Sequence, residues 1–318
     1  MATRKYTHVA ISNAVADYTF KISDLQLSAF SLNKGDFQTL SSETRQALEL
    51  ACGTPTLSCG GSICNTLYGM GLLGNTKGCS LASIGDDADG DLYRAEFARV
   101  GVDYLPALAN TATMAVNVLI TPDAQRTFVT RRHSLLHQLS NEAKNRIKNA
   151  DWLLLEGYVL FNQADLVQQA VTYAKSVGTK VALFVSSKSV PKAFGHVMFD
   201  IIRSGIDLLV CNEGEMQALM HATRGHSQAR ELSGAIHFTP RIITHGAGGA
   251  TYMDEAEYAF EPIPGKVNVV DTNGCGDAFA AGFLDGYFRG IDIHDALRQG
   301  HELASKVAQQ FGARLPQL

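Results

Sequence analysis

Short apolar runs recur along the chain, at Trp152–Leu155, Val181–Val185, Asp207–Val210 and Ile242–Thr244, and each gives way to a turn and then to helical periodicity. Ala164–Ser176 and Glu215–Ala222 are two of the helices that this periodicity predicts. A strand that is apolar at nearly every position is buried on both faces, the condition of a parallel sheet covered by crossover helices. The pattern therefore predicts an α/β fold of three layers, αβα, around a mostly parallel central sheet. Two stretches depart from it. Residues 13–37 alternate and turn. Within 108–132, Thr113–Thr130 reads as a hairpin about Thr121, Pro122, Asp123 and Ala124, with Met114, Val116, Val118 and Ile120 on one face of an amphipathic strand. Both stretches are expected to supply the strands of a small β-sheet lid, within a single domain spanning 1–318. Ligands of such sheets bind beyond the carboxyl ends of the strands, so chemistry is expected in the loops there.

Composition narrows the possibilities. The chain has 318 residues, 46% of them apolar and 18% charged, with a net charge of -4. That length can bury one large core, and without clustered excess of Lys and Arg no nucleic-acid partner is expected. The short basic run Arg131–His133 is expected to be solvated or to contact an anion. No stretch approaches the roughly eighteen apolar residues of a membrane-spanning helix, so no membrane partner is expected. The start, MATRKYTHVAIS, lacks an apolar signal core, which places the protein in the cytoplasm by expectation. The six cysteines (Cys52, Cys59, Cys64, Cys79, Cys211, Cys275) contain no CxxC pair and read as reduced thiols.

Candidate chemistry concentrates between Val267 and Gly290. An apolar strand is expected to end at Val270, followed by a polar glycine-rich turn and a helix whose buried face carries Phe279, Phe283 and Tyr287. Gly274 and Gly276 let successive N–H groups converge, and the helix N-terminus adds unpaired donors and partial positive charge. Such a nest binds anions, a phosphoryl group foremost. Asp277 then falls in the first helical turn beside the anion. Helix capping is the competing role for Asp277, and a lone glycine-rich turn does not choose between the two.

The full string from Asp271 to Asp277, DTNGCGD, resembles the signature of the ribokinase-like carbohydrate and nucleoside kinases, with Cys275 in the usual alanine position. The resemblance implies that Asp277 takes the proton of the acceptor hydroxyl. It also implies that the amides of Gly274, Cys275 and Gly276 stabilise the transferring phosphoryl group, since phosphoryl transfer rests on positioning and charge neutralisation. Other motifs follow in the family's order. Asn13 and Asp17 resemble its substrate contacts, and Cys59–Asn65 (CGGSICN) resembles its first signature, with Gly61 and Asn65 at the sugar. Gly85, Asp86, Asp87 and Gly90 match a further pattern, to which a structural role is assigned. Asn212 and Glu215 are similar to a motif whose glutamate holds magnesium through water, although a capped helix start explains them equally. Ile242–Tyr252 resembles the nucleotide-side loop, placing Thr244, Gly246 and Gly249 near ATP. The C-terminal stretch, with Gly300 and His301, looks most like the adenosine-kinase branch, where the histidine lies beside the adenine. Arg126 stands where a lid arginine would reach the phosphoryl group, with Arg131 and Arg132 as rivals. The segment Val185–Lys188 lacks an acidic residue often seen after that strand.

What the resemblance implies is an ATP-dependent kinase acting on the primary hydroxyl of a ribonucleoside (adenosine, inosine or guanosine), with ATP and magnesium as cofactors and potassium as a further candidate for ordering the turn. The expected assembly is a monomer or a lid-mediated homodimer. A free pentose or hexose as acceptor, or a catalytically silent ligand-binding homologue, are the alternatives. A dinucleotide-dependent oxidoreductase is disfavoured because Ser12–Ala16 contains no GxGxxG, and a Walker-type ATPase because no GxxxxGK[ST] occurs.

Overall fold

The apolar runs become the centre of the larger of two sheets. The computed structural model describes residues 4–105, 112–123, 125–132, 139–222 and 229–318. The chain runs through β1 (Tyr6–Ile11), β2 (Val15–Lys21), α1 (Asp24–Ala29), β3 (Phe37–Gln38), α2 (Ser42–Cys52), β4 (Thr56–Gly60), α3 (Ser62–Leu73), β5 (Gly78–Ser80), α4 (Ala88–Arg99) and β6 (Asp103–Tyr104). It continues through β7 (Met114–Ile120), β8 (Arg126–Arg132), α5 (Asn141–Lys148), β9 (Ala150–Glu156), α6 (Leu160–Ser176), β10 (Lys180–Phe184), α7 (Ser189–Arg203), β11 (Leu208–Asn212) and α8 (Glu213–Ala222). The last elements are α9 (Ala229–Phe238), β12 (Arg241–Thr244), β13 (Ala250–Met253), β14 (Tyr258–Glu261), α10 (Cys275–Arg289) and α11 (Ile293–Ala308).

Among the described residues the larger sheet has nine strands in the order β14-β13-β12-β11-β10-β9-β1-β5-β6. From β12 to β6 every pairing is parallel, and β13 and β14 close one edge antiparallel. Alternate side chains of one strand feed opposite cores. Trp152 and Leu154 of β9, with Ala182 and Phe184 of β10, pack under α3, α4, α10 and α11. Leu153, Leu155, Val181 and Leu183 pack under α5, α6 and α7. Each such Leu or Phe contributes about 1.5–3 kcal/mol by leaving water, which is why uniformly apolar strands select this doubly covered sheet. Three layers around a mostly parallel sheet are what the pattern predicted.

The smaller sheet is the lid, in the order β3-β8-β7-β2-β4. The predicted hairpin is β7 and β8, antiparallel with a bulge between Ala115 and Val116; residues 108–111 and Ala124 of that stretch lie outside the described residues. Three expectations are corrected. The β7 strand is not amphipathic: Ala115, Asn117 and Leu119 are buried as fully as Val116 and Val118. Leu48 of α2 packs against Leu119, and Asn117 donates to Glu49 at 2.8 Å, so the outer face of the lid is covered too. Residues 13–37 are not all strand and turn, because Ser23 and Gln26 cap α1 reciprocally. Val267–Val270 is not a strand. Val269 and Val270 are exposed, and the amides of Val270 and Asp271 donate instead to Ala308 O at the end of α11. Arg131 and Arg132 are partly exposed, and each meets a protein carboxylate: Arg131 pairs with Glu49 at 2.9 Å, 4.0 Å over the Tyr18 ring, and Arg132 pairs with Asp89. His133 lies outside the described residues. The structural role given to Gly85–Gly90 is visible in Asp87, which caps α4 through Gly90 N and also receives Thr113 N at 2.9 Å at the entry to the lid.

Candidate active site

Two helix N-termini converge under the lid. Helices α3 and α10 approach closely because Gly69 faces Ala281: a Cβ on Gly69 would lie 2.7 Å from that of Ala281. Neither N-cap residue, Gly61 or Gly274, supplies a side-chain cap, and both helix starts turn to the same region, where the Glu156 carboxylate takes the amide of Ile63 at α3. At α10 the turn Asp271–Gly274 enters through Gly274 at φ 73°, a left-handed conformation that favours glycine. A Cβ there would also lie 2.6 Å from Ala313 Cα. A Cβ on Gly276, in contrast, would meet nothing within 4 Å. That open space over an uncapped helix start suits a phosphoryl group. Cys275 turns its thiol toward Asp271 O at 3.8 Å, and burial pushes it up to about 11, so the thiolate is scarce at neutral pH.

Asp277 is held from α3. Ser62 Oγ donates to its Oδ1 at 2.7 Å and Asn65 Nδ2 donates to its Oδ2 at 2.9 Å. Burial raises the affinity of this carboxylate for a proton, while Ser62, Asn65 and the Arg314 guanidinium oppose the rise. A carboxylate so raised is a better base than a free one. Across the cleft, Asp17 of β2 lies against Gly60, where any Cβ would overlap its carboxyl group. Burial pushes Asp17 up to about 7, against Arg314 and Arg126, with Asp277 adding to the rise. Gly61 has φ 86°, and a Cβ on it would collide with the carbonyl of Asn13, which brings the two motifs together at the backbone.

Arg126, from the lid, donates to Asp271 Oδ2 at 2.5 Å at the head of the turn. Of the three rival arginines, this one reaches the turn, since Arg131 and Arg132 are engaged with Glu49 and Asp89. At the carboxyl end of β11, Asn212 and Glu215 cap one another: Asn212 N donates to Glu215 Oε2 at 3.0 Å and Glu215 N to Asn212 Oδ1 at 2.9 Å. Among the described residues no three His, Cys, Asp or Glu side chains cluster as a metal cage. Thr244 ends β12, and Gly246 and Gly249, at φ 57° and 112°, turn the loop into β13. His301 is buried, with Nε2 2.9 Å from Glu261 O and its ring 5.1 Å from Phe279. The structure thus brings Asp277, Asn65, Asp17, Arg126 and the glycine turn together, and sets His301 in the packing between α10 and α11.

Three residues of the site went unread in the sequence. Ser62 was passed over as an ordinary residue inside CGGSICN. Glu156 ends the otherwise apolar β9; it is buried, accepts from Ile63 N at 3.3 Å, and burial pushes it up to about 8. A lone carboxylate at the carboxyl end of an apolar strand was the signal for it. Arg314, in the tail after α11, gives Nε to Asn65 Oδ1 at 2.9 Å; nothing local in Phe311–Pro316 marks it.

The family model described as pfkB family carbohydrate kinase matches residues 29–318. An adenosine kinase of Schizophyllum commune is 28% identical over 261 residues, covering 72% of each chain. A 5-dehydro-2-deoxygluconokinase of Shouchella clausii is 25% identical over 307 residues, covering 92% of this chain and 91% of its own. The solved structure of adenosine kinase from Sinorhizobium meliloti superposes with a TM-score of 0.85 at 25% identity, covering 98% of this chain and 96% of its own. The fold is ribokinase-like; the chain belongs to the pfkB family of carbohydrate kinases and is a phosphotransferase.

Proposed function

We propose that the protein transfers the γ-phosphoryl group of ATP to the primary hydroxyl of a ribonucleoside such as adenosine, inosine or guanosine. The observation that carries this reading is the placement of the Asp277 carboxylate, fixed by Ser62 and Asn65, one residue past the open space at Gly276. In the transfer, the acceptor oxygen bonds to the γ-phosphorus as the bond to the β,γ-bridging oxygen breaks. The hydroxyl proton passes to Asp277, and ADP leaves. The α10 amides and Arg126 carry the charge on the phosphoryl oxygens. Asp17 and Asn65 hold acceptor hydroxyls, Gly61 admits the sugar to the backbone, and Thr244, Gly246 and Gly249 border the nucleotide.

Magnesium fits the donors present only as an ion held through water. Glu215 uses Oε2 in its cap and has a second carboxylate oxygen to offer, and among the described residues no cage of carboxylates surrounds it. When bound, magnesium would neutralise phosphate charge. Glu215→Gln keeps the capping geometry and removes the charge, so it should raise the magnesium requirement without loss of fold.

The decisive variant is Asp277→Asn. Asparagine has the size of aspartate and keeps one oxygen to accept from Asn65, while the Ser62 hydroxyl can turn to accept from its amide, so melting and ligand binding should persist while transfer falls by on the order of 10²–10⁴. Near wild-type turnover would remove Asp277 from the mechanism and leave it as a structural link between α10 and α3. A free sugar as acceptor is the second reading, favoured by the 5-dehydro-2-deoxygluconokinase relative that spans nearly the whole chain. An ATP-consumption screen of nucleosides against pentoses and hexoses separates the two.

A further inference from the structure

The tail after α11 is tied to both halves of the site. Gly312 N donates to Asp271 Oδ2 at 3.0 Å, at the head of the glycine turn. Leu315 O accepts from Tyr68 OH at 2.8 Å, in the middle of α3. Between these anchors, Arg314 turns inward. Its Nε donates to Asn65 Oδ1 at 2.9 Å, and its Nη2 donates to Tyr93 OH at 3.0 Å and to Gly60 O at 3.3 Å. The guanidinium lies 5.0 Å from the ring centres of both Tyr68 and Tyr93 and 5.9 Å from that of Phe97. Three aromatic faces and three donated hydrogen bonds leave a planar fork little freedom.

The consequence falls on Asn65. An asparagine amide can be turned either way, and its orientation is set by its partners. Arg314 is donor-only, so the oxygen of Asn65 must face it, and the NH2 group must then face Asp277, where it donates at 2.9 Å. We propose that Arg314 is a positioning residue for phosphoryl transfer: through Asn65 it fixes the hydrogen bond that aims the Asp277 carboxylate, and the C-terminal tail thereby sets the reactive geometry of the base. This rests on the reading of Asp277 as the base.

Its charge acts as well as its fork. Asp277 is faced by Arg314 from the tail, by Asp17 from β2, by Glu156 from β9 and by Glu215 from α8. Cys275 precedes it on its own helix, Tyr158 faces it from the segment after β9, and Arg126 faces Asp17 from the lid. Among these groups Arg314 is the cation that opposes the burial of Asp277 directly. Removing it therefore moves the proton affinity of Asp277 upward, and the acid limb of the transfer rate moves to higher pH.

The test is single-turnover transfer at saturating ATP and adenosine, inosine or guanosine, whichever turns over, measured across pH for wild type, Arg314→Gln, Arg314→Lys, Asn65→Ala and the double variant, with melting curves to establish folding. Arg314→Gln should slow transfer on the order of 10²-fold, the cost of a small misplacement of a reacting group, and move the acid limb to higher pH. Arg314→Lys should keep the limb near its wild-type position but lose rate, because an ammonium cannot reproduce the fork. Arg314→Gln combined with Asn65→Ala should cost little more than Asn65→Ala alone. An unmoved limb in Arg314→Gln, or additive losses in the double variant, would overturn the proposal and leave Arg314 as a structural staple. Should Arg314→Gln fail to fold, Arg314→Lys decides it: a wild-type rate overturns the role of the fork. Absence of transfer by the wild-type protein, or full activity of Asp277→Asn, would instead overturn the functional reading on which the proposal rests.

Discussion

Arg126 on the lid and Asp271 at the head of the glycine turn form an ion pair with Nη2 2.5 Å from Oδ2. The pair joins the lid to the turn that enters α10. Asp271 also accepts from Asn273 N at 2.9 Å and Gly312 N at 3.0 Å. Burial disfavours its charge, yet these two amides and Arg126 outweigh burial and hold its carboxyl below the usual range. The carboxylate therefore stays charged through neutral pH, and it holds the lid arginine beside the space where a phosphoryl group would arrive.

Arg126→Gln should lower the transfer rate by roughly 10²–10³, the loss typical of one donor to a developing anion, and lower the melting temperature as well, because it leaves the buried Asp271 charge without its cation. Arg131→Gln breaks the pair with Glu49 on the outer face of the lid and should cost stability but not rate. Turnover and melting measured on both variants check the assignment. Equal rate losses would mean that Arg126 has no special position.

The two glycines of the turn should separate structural from ligand roles. Gly274→Ala places a Cβ against Ala313 at a positive φ, so it should destabilise the fold. Gly276→Ala meets no protein atom within 4 Å, and alanine is the better helix former. It should melt at or slightly above the wild-type temperature while the KM for ATP rises at least tenfold, about 1.4 kcal/mol. An unchanged KM would remove Gly276 from the phosphate site.

Asp17 predicts a pH dependence in acceptor binding. Its carboxyl is pushed up to about 7, chiefly by burial, so it is partly protonated at neutral pH. The charged form is the better acceptor of two hydroxyls, and the KM for the acceptor should fall as pH rises through about 7. Asp17→Asn should flatten that dependence, and Asp17→Ala should weaken binding by roughly 1.5–3 kcal/mol, with the KM for ATP nearly unchanged. A KM profile equally steep in Asp17→Asn would assign the dependence elsewhere.

Glu156 predicts one in stability. Burial raises its folded-state value to about 8 from an ordinary 4.5. A group raised in this way contributes stability below its unfolded value that is lost as pH rises through the folded one. Glu156→Gln should therefore raise the melting temperature at pH about 8, with a gain that shrinks toward nothing near 4.5. Thermal melts across that window test it, and a gain independent of pH would contradict the burial argument.

Much of this was legible along the chain. Apolar runs such as Val181–Val185 fixed the larger sheet because a strand buried on both faces has no polar side to offer. The turn from Asp271 to Asp277 was legible because an anion nest is made of consecutive backbone groups, which a local string encodes. Val267–Val270 misled for the complementary reason. Strand propensity is local, but pairing is not, and the amide of Val270 found Ala308 O instead of a neighbouring strand.

What tertiary structure alone decided are the contacts between residues far apart in sequence. Local pattern determined the sheet, its covering helices and the anion turn, since each depends on neighbours within a few residues. That Arg126 rather than Arg131 or Arg132 reaches the turn depended on the register of β8 and on Glu49 and Asp89 claiming the other two. That Arg314 sets Asn65, and Asn65 sets Asp277, required the tail to return across α3 and α10. No local periodicity encodes a hydrogen bond between residues 65 and 314, because it exists only once packing has carried the two segments together.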